Sequence, residues 1–375
     1  MARAIATFPF ATPLIAALSV FAPDALAAEP VAGAPVAPVA QSGMEVTIDP
    51  RIELVAAVSY LAGDRAGWTP RSDSPYRAAM MRWADRHRRH PAVARLRAIE
   101  GFAYSYPAEA ILAYGPPPAL APLSPPSTQT LEAIGGQAAL DAWVASLRDF
   151  ARDTRYMDFF DRQRPEFARM IERTRAKAAS TDIVAPFERF YGLPPQRYTL
   201  ILAPNILAGA FGPSVPLPDG RRHFYTVQGA AGLVDGALDF GDPASIASLS
   251  WHEFGHTVVN PLDAARADAL RASAPLYETI ADEMSALAYT TWEITANEAL
   301  VRANTLHLCR TVFAGEAANT CLESQLTPSV RFNFYVYRIA DFRTGYYERR
   351  RDRWPTYADF HPVDLKVLEL LAQSK

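Results

Sequence analysis

Apolar residues recur at near-helical spacing through 244–259, where Ile246, Leu249, Phe254 and Val258 mark one stripe. Proline is missing from this run, and Gly255 is its only glycine. Asp242-Pro243 supplies an N-cap followed by proline at the first helical position. Asn260-Pro261 predicts the end, because a residue before proline is pushed out of the α region. The same periodicity predicts helices over 52–61, 74–85, 92–106, 131–154 and 159–175, and again over 275–292, 297–312, 330–342 and 363–372. Short apolar runs at 46–48, 198–202 and 223–227 predict strands. Prolines through 107–128 predict an irregular excursion. The sum is an α+β fold, predominantly helical, with a small mixed sheet of three to five strands beside the helix at 244–259.

Half of the 375 residues are hydrophobic and 21% are charged, enough for a sizeable core. A formal net charge of −3 points to no nucleic acid or anionic membrane as partner. No linker composition appears after residue 45, so 46–375 reads as a single domain. Its parts are a helical segment (46–180), the sheet and motif helices (181–295) and a C-terminal helical segment (296–375).

The first residues change the expected compartment. Arg3, an apolar run over 8–21 broken by Pro9 and Pro13, and Ala25-Leu26-Ala27 read as an export signal over 1–27, cut before Ala28. The run is too short to span a membrane; its retention as an anchor is the alternative. Residues 28–45, rich in Ala, Pro and Val, read as a tether. The expectation is a periplasmic or secreted protein with no stable membrane insertion once the signal is removed. Cys309 and Cys321 could then close a short disulfide loop, against the alternative of two buried thiols.

Within the helix at 244–259 stands His252-Glu253-Phe254-Gly255-His256, an H-E-x-x-H pattern. His252 and His256 lie one turn apart on one face, so both imidazoles can reach one ion, and Zn²⁺ favours neutral imidazole nitrogen. Glu253 points beside that ion, where a base would take a proton from water. Two histidines leave a tetrahedral site short of ligands. Glu278 is expected as the third, with Glu283 as its rival. Asp282, four residues after Glu278, is expected to accept the remaining N–H of one histidine, His252.

These residues carry a resemblance. His252-Glu253-Phe254-Gly255-His256, followed by Tyr277-Glu278-Thr279-Ile280-Ala281-Asp282-Glu283, resembles the gluzincin zinc metallopeptidases. Their second motif is similar to E-G-L-A-E-Y or N-E-x-x-x-D, and its first glutamate is the third zinc ligand. Thr279 departs from the common glycine. A second resemblance, at Val46–Leu54 and at His256–Pro261, is to an uncharacterised bacterial family of gluzincin-like domains of unknown function. It covers almost the whole mature chain and implies a zincin-like core and a metal site without a substrate.

The resemblance implies an exported zinc hydrolase of peptide or protein substrates. The alternatives are a non-catalytic exported zinc-binding interaction domain and a zinc amidase acting on cell-wall peptide. It also implies an oxyanion-stabilising Tyr or His downstream. Tyr335 and Tyr346 are the picks, with Tyr337 and His307 also eligible. By the same resemblance, the strand near Phe224 could pair with an extended peptide, against a plain structural hairpin. His87 and His90, in an arginine run, read as a solvated face, and His223 reads as a surface histidine.

Overall fold

The computed structural model describes residues 43–64, 67–70, 73–102, 104–206 and 209–373. The expected export signal and most of the expected tether lie outside the described residues. Helices dominate, around a small mixed sheet, which makes the fold α+β and mainly helical.

Proline and short polar caps punctuate the N-terminal half. Asp49 caps the helix Pro50–Leu61, Ser74 caps Pro75–Ala84, and His90 caps Pro91–Arg97 by accepting from the Ala92 N–H. His90 is therefore a capping group, and His87 packs against Trp83. The helix expected over 131–154 is two helices, Thr128–Ile134 and Gln137–Asp153. The break falls at Gly135-Gly136, both with φ above 90°, which a residue with a Cβ would resist.

The sheet runs β1 (Glu45–Thr47), β2 (Arg197–Ala203) and β5 (Arg222–Gly229), all parallel. On the far side of β5, β3 (Ala210–Phe211) and β4 (Ser214–Pro216) pair antiparallel to it, separated by Gly212-Pro213. The stretches at 198–202 and 223–227 are thus parallel neighbours, not a hairpin. Phe224 lies on a strand paired on both sides, so the edge is β3–β4 instead. His223 is buried, with Nε2 2.8 Å from Thr199 Oγ1 and its ring stacked on Tyr225. Burial pushes its pKa down to about 3, so it is neither a surface residue nor a cation at neutral pH.

The motif helix, Pro243–Ala264, packs Phe254 against Tyr198, Phe224 and Phe187, joining it to one sheet face. It continues through Pro261 where the sequence predicts a stop. The extra turn is held by Asp263, which is fully buried and bonded to His361 and Asn297. The run at 275–292 is not one helix. It splits into a 3-10 turn, Ala274–Thr279, and a short helix, Ala281–Ser285, and Ala288 then adopts a positive φ of 67°. Thr291 caps a new 21-residue helix, Trp292–Val312. This helix packs beside the motif helix. A Cβ at Gly255 would stand 3.0 Å from the Tyr191 hydroxyl and 3.2 Å from Val301, so glycine permits that approach. Among the described residues no helix is long and apolar enough to cross a membrane.

One buried acid couples the helical half to the edge strand. Glu53, on the first helix, accepts from Tyr76 Oη and Asn205 Nδ2, each at 2.7 Å. Asn205 belongs to the loop that leads into β3, where Phe211 stacks on Trp68. Burial raises Glu53 to about 7 against these two donors. The folded chain therefore holds this proton more tightly than the unfolded one. Stability from Glu53 is fully present below pH 4.5 and is lost as pH rises to about 7, a span of about 3 kcal/mol. Urea unfolding of Glu53→Gln and the wild type across pH 4.5–8 should show the variant gaining on the wild type through this window. A constant difference would contradict a protonated Glu53.

Candidate metal centre

Three side chains from two helices converge. His252 Nε2 and His256 Nε2 are 3.1 Å apart, and each lies 3.5 Å from a different oxygen of Glu298. These three residues form a group whose ligand atoms all lie within 4.8 Å of one another and which could hold a metal ion. Glu298 sits on the helix Trp292–Val312 and is completely buried.

The outer hydrogen bonds fix which nitrogens face inward. Gln325 Nε2 donates to Ser248 Oγ at 2.7 Å, so its Oε1 faces His252 Nδ1 at 3.1 Å. Asn297 Nδ2 donates to Asp263 Oδ2 at 2.7 Å, so its Oδ1 faces His256 Nδ1 at 3.1 Å, beside Asn260 Oδ1 at 3.2 Å. Both imidazoles therefore carry their proton on Nδ1, an assignment that follows from the network. Both Nε2 lone pairs then point at a common space.

Glu298 joins them with one oxygen free. Its Oε1 accepts from Arg302 Nε at 2.8 Å and from Tyr289 Oη at 3.0 Å, and its Oε2 has no hydrogen-bond partner. Three acceptors thus face one another, buried, with no donor between them. A cation satisfies such a set, and two imidazole nitrogens on a tetrahedral zinc ion stand about 3.3 Å apart. The donor set fits a metal.

The charges agree. Burial alone would raise Glu298, but Arg302 and the two imidazoles hold it below the usual carboxylate range. Burial pushes His252 down to about 3, whereas Glu298 lifts His256 above its ordinary value against its own burial.

Glu253 stands one residue away, buried, with Oε1 lacking a partner. Burial raises its pKa to about 7. The edge strand is pressed against its backbone: a Cβ at Gly212 would stand 2.2 Å from the Glu253 carbonyl oxygen. Only glycine lets the chain between β3 and β4 lie that close.

Of the expected residues, the structure brings together His252 and His256, with Glu253 beside them. Glu278 does not join them. It is exposed on the 3-10 turn, because the run at 275–292 breaks before it can present a continuous face to the motif helix. Asp282 and Glu283 are exposed as well, and Gln325 takes the place expected of Asp282 on His252. Tyr335 Oη lies 3.2 Å from Thr279 Oγ1. Tyr346 packs on Phe342 and Trp354 under the Arg350 guanidinium. Among the described residues, neither tyrosine is a hydrogen-bond partner of the triad. His307 is buried against Phe190, with Nδ1 3.1 Å from Thr344 Oγ1. Cys309 and Cys321 form a disulfide. Glu298, the candidate third ligand that the sequence reading missed, carried one signal, Asn297-Glu298 inside a long run free of glycine and proline, similar to the N-E of the second motif.

Fold and site define a mainly helical α+β domain with a buried His-His-Glu group able to hold a metal ion. The chain belongs to a family described as a domain of unknown function, DUF4932, whose profile matches residues 44–367. Searches of curated proteins and of solved structures find no match.

If Glu298 is the acid of this centre, Glu298→Ala should lose most bound metal in elemental analysis of purified protein, and Glu278→Ala should keep it. The reverse pattern would return the third ligand to position 278.

Proposed function

We propose that this protein is an exported, zinc-dependent hydrolase of peptide or related amide bonds, with a zincin-like core. His252, His256 and Glu298 would hold the ion, and Glu253 would act as general base and then acid. Two neutral imidazoles and one carboxylate are a donor set that suits zinc. The observation that carries the reading is Glu253: a buried carboxylate with one oxygen unpartnered and its pKa raised by burial to about 7, on the residue next to His252 in the convergent group.

The ion would supply Lewis acidity toward a carbonyl oxygen and toward water. Glu253 would take a proton at Oε1 and pass it to the leaving nitrogen. Its raised pKa suits both halves of that task. The outer edge of β3–β4 supports a peptide substrate, since an extended chain could add to it beside Glu253. The export signal remains a reading of the sequence, and the Cys309–Cys321 bridge agrees with an oxidising compartment.

A second reading is favoured by burial: His252 is 2% exposed and Glu253 3%. Such a site also suits a non-catalytic metal-holding module, which would bind zinc and cut nothing.

Glu253→Gln separates the two. The variant should keep its zinc while peptide-library cleavage falls by at least about 10²-fold, and chelation should silence the wild type. Zinc-loaded wild type that cuts no peptide or amide would favour the module. Unchanged turnover in the variant would remove Glu253 from the mechanism.

A further inference from the structure

Arg302 follows Glu298 by four residues, so both side chains lie on one helix face. It is buried with the acid, at 4% exposure. Its Nε and Nη2 each lie 2.8 Å from Glu298 Oε1, and Tyr289 Oη adds a third donor to that same oxygen. Nothing donates to Oε2. The remaining arm of the guanidinium, Nη1, donates to the Gln325 main-chain carbonyl at 2.7 Å. The side chain of Gln325 faces His252 Nδ1. One guanidinium therefore touches the acid and the residue that orients the opposite imidazole.

We propose that Arg302, assisted by Tyr289, is a positioning residue that makes Glu298 a one-oxygen ligand with its charge already compensated, and that links Glu298 to His252 through Gln325. This rests on His252, His256 and Glu298 being a metal centre. All donors load Oε1, which also lies 3.5 Å from His252 Nε2, so Oε2 is left free 3.5 Å from His256 Nε2. The arginine is the buried counter-charge that the carboxylate has when no cation is bound. The metal-free chain can then fold with the site assembled, and the cation is not required to neutralise the acid. Lysine would not serve equally, because an ammonium lacks the planar fork that reaches Glu298 and Gln325 together.

Without Arg302, the cation becomes the main compensation for the Glu298 charge, and stability becomes metal-dependent. Full-length wild type, Arg302→Met and Tyr289→Phe would be melted as metal-free protein and again with added Zn²⁺. Metal-free Arg302→Met should melt roughly 6–10 °C below the wild type, as expected for a broken buried pair in a chain of this size. Its zinc-induced rise in Tm should exceed the wild-type rise by most of that amount. Tyr289→Phe, which keeps the ring and removes one donor, should show the same pattern at smaller amplitude. It decides the matter if Arg302→Met does not fold even with zinc. Equal zinc-induced rises in all three proteins would overturn the proposal while leaving the metal centre standing. A wild type whose melting is unmoved by zinc, and which binds none by elemental analysis, would overturn the metal centre and the proposal with it.

Discussion

Three hydrogen-bond acceptors held together in a buried space repel one another, and this repulsion is the constraint around which the surrounding structure is arranged. The motif helix alone puts His252 and His256 on one face, but nothing in it brings in Glu298. Each is held by a partner behind it: Gln325 for His252, Asn297 for His256, Arg302 and Tyr289 for Glu298. Those partners are themselves held. Ser248 fixes the Gln325 amide, and Asp263 fixes Asn297 while bonding His361 at 2.6 Å. The His361 link reaches from the motif helix to the C-terminal helix Tyr357–Gln373, so the last element of the chain braces a ligand more than a hundred residues earlier. Buried polar networks are worth having when their members are satisfied and costly when they are not. Here the atoms left without a partner include Glu298 Oε2, at the centre, where an ion would complete it.

The part of the site visible in the sequence is the part set by one helix. An i, i+4 pair of histidines shares a face whatever the helix packs against, so His252 and His256 could be read together. Glu253 follows from the same geometry. The third acid depends on how two helices pack, which no spacing along the chain encodes. Glu278 reads as the third ligand because Asp282 follows it by four residues on an expected helix and the stretch resembles the second gluzincin motif. The pattern failed there because Pro275 opens a tight 3-10 turn and Ala288 bends the chain through a positive φ. The helix that does reach the site starts at the Thr291 cap.

The sheet was legible for a similar reason and with a similar limit. β2 and β5 are long and apolar, and a seven-residue register between them leaves a clear trace. The edge strand is only two and three residues on either side of Gly212-Pro213, too short to establish a period of two. Its position is set by contact. Trp68 stacks on Phe211, Glu53 bonds Asn205, and Gly212 meets the Glu253 backbone. The N-terminal helices, which hold no candidate ligand, thus help determine where the edge strand lies relative to Glu253.

The disulfide belongs to this same logic. Cys309 lies near the end of the helix that carries Glu298, and Cys321 lies four residues before Gln325. The bridge closes a short loop, a constraint worth about 3 kcal/mol in the usual chain-entropy account. Its location matters more than that figure. Gln325 receives Arg302 on its main-chain carbonyl and faces His252 with its side chain, so a shift of this segment disturbs two members of the group together. Tethering it to the acid helix makes those two contacts move as one body. A buried site assembled from three separate stretches of chain needs such a tie, because hydrogen bonds alone fix angles only as well as the backbones that present them are fixed.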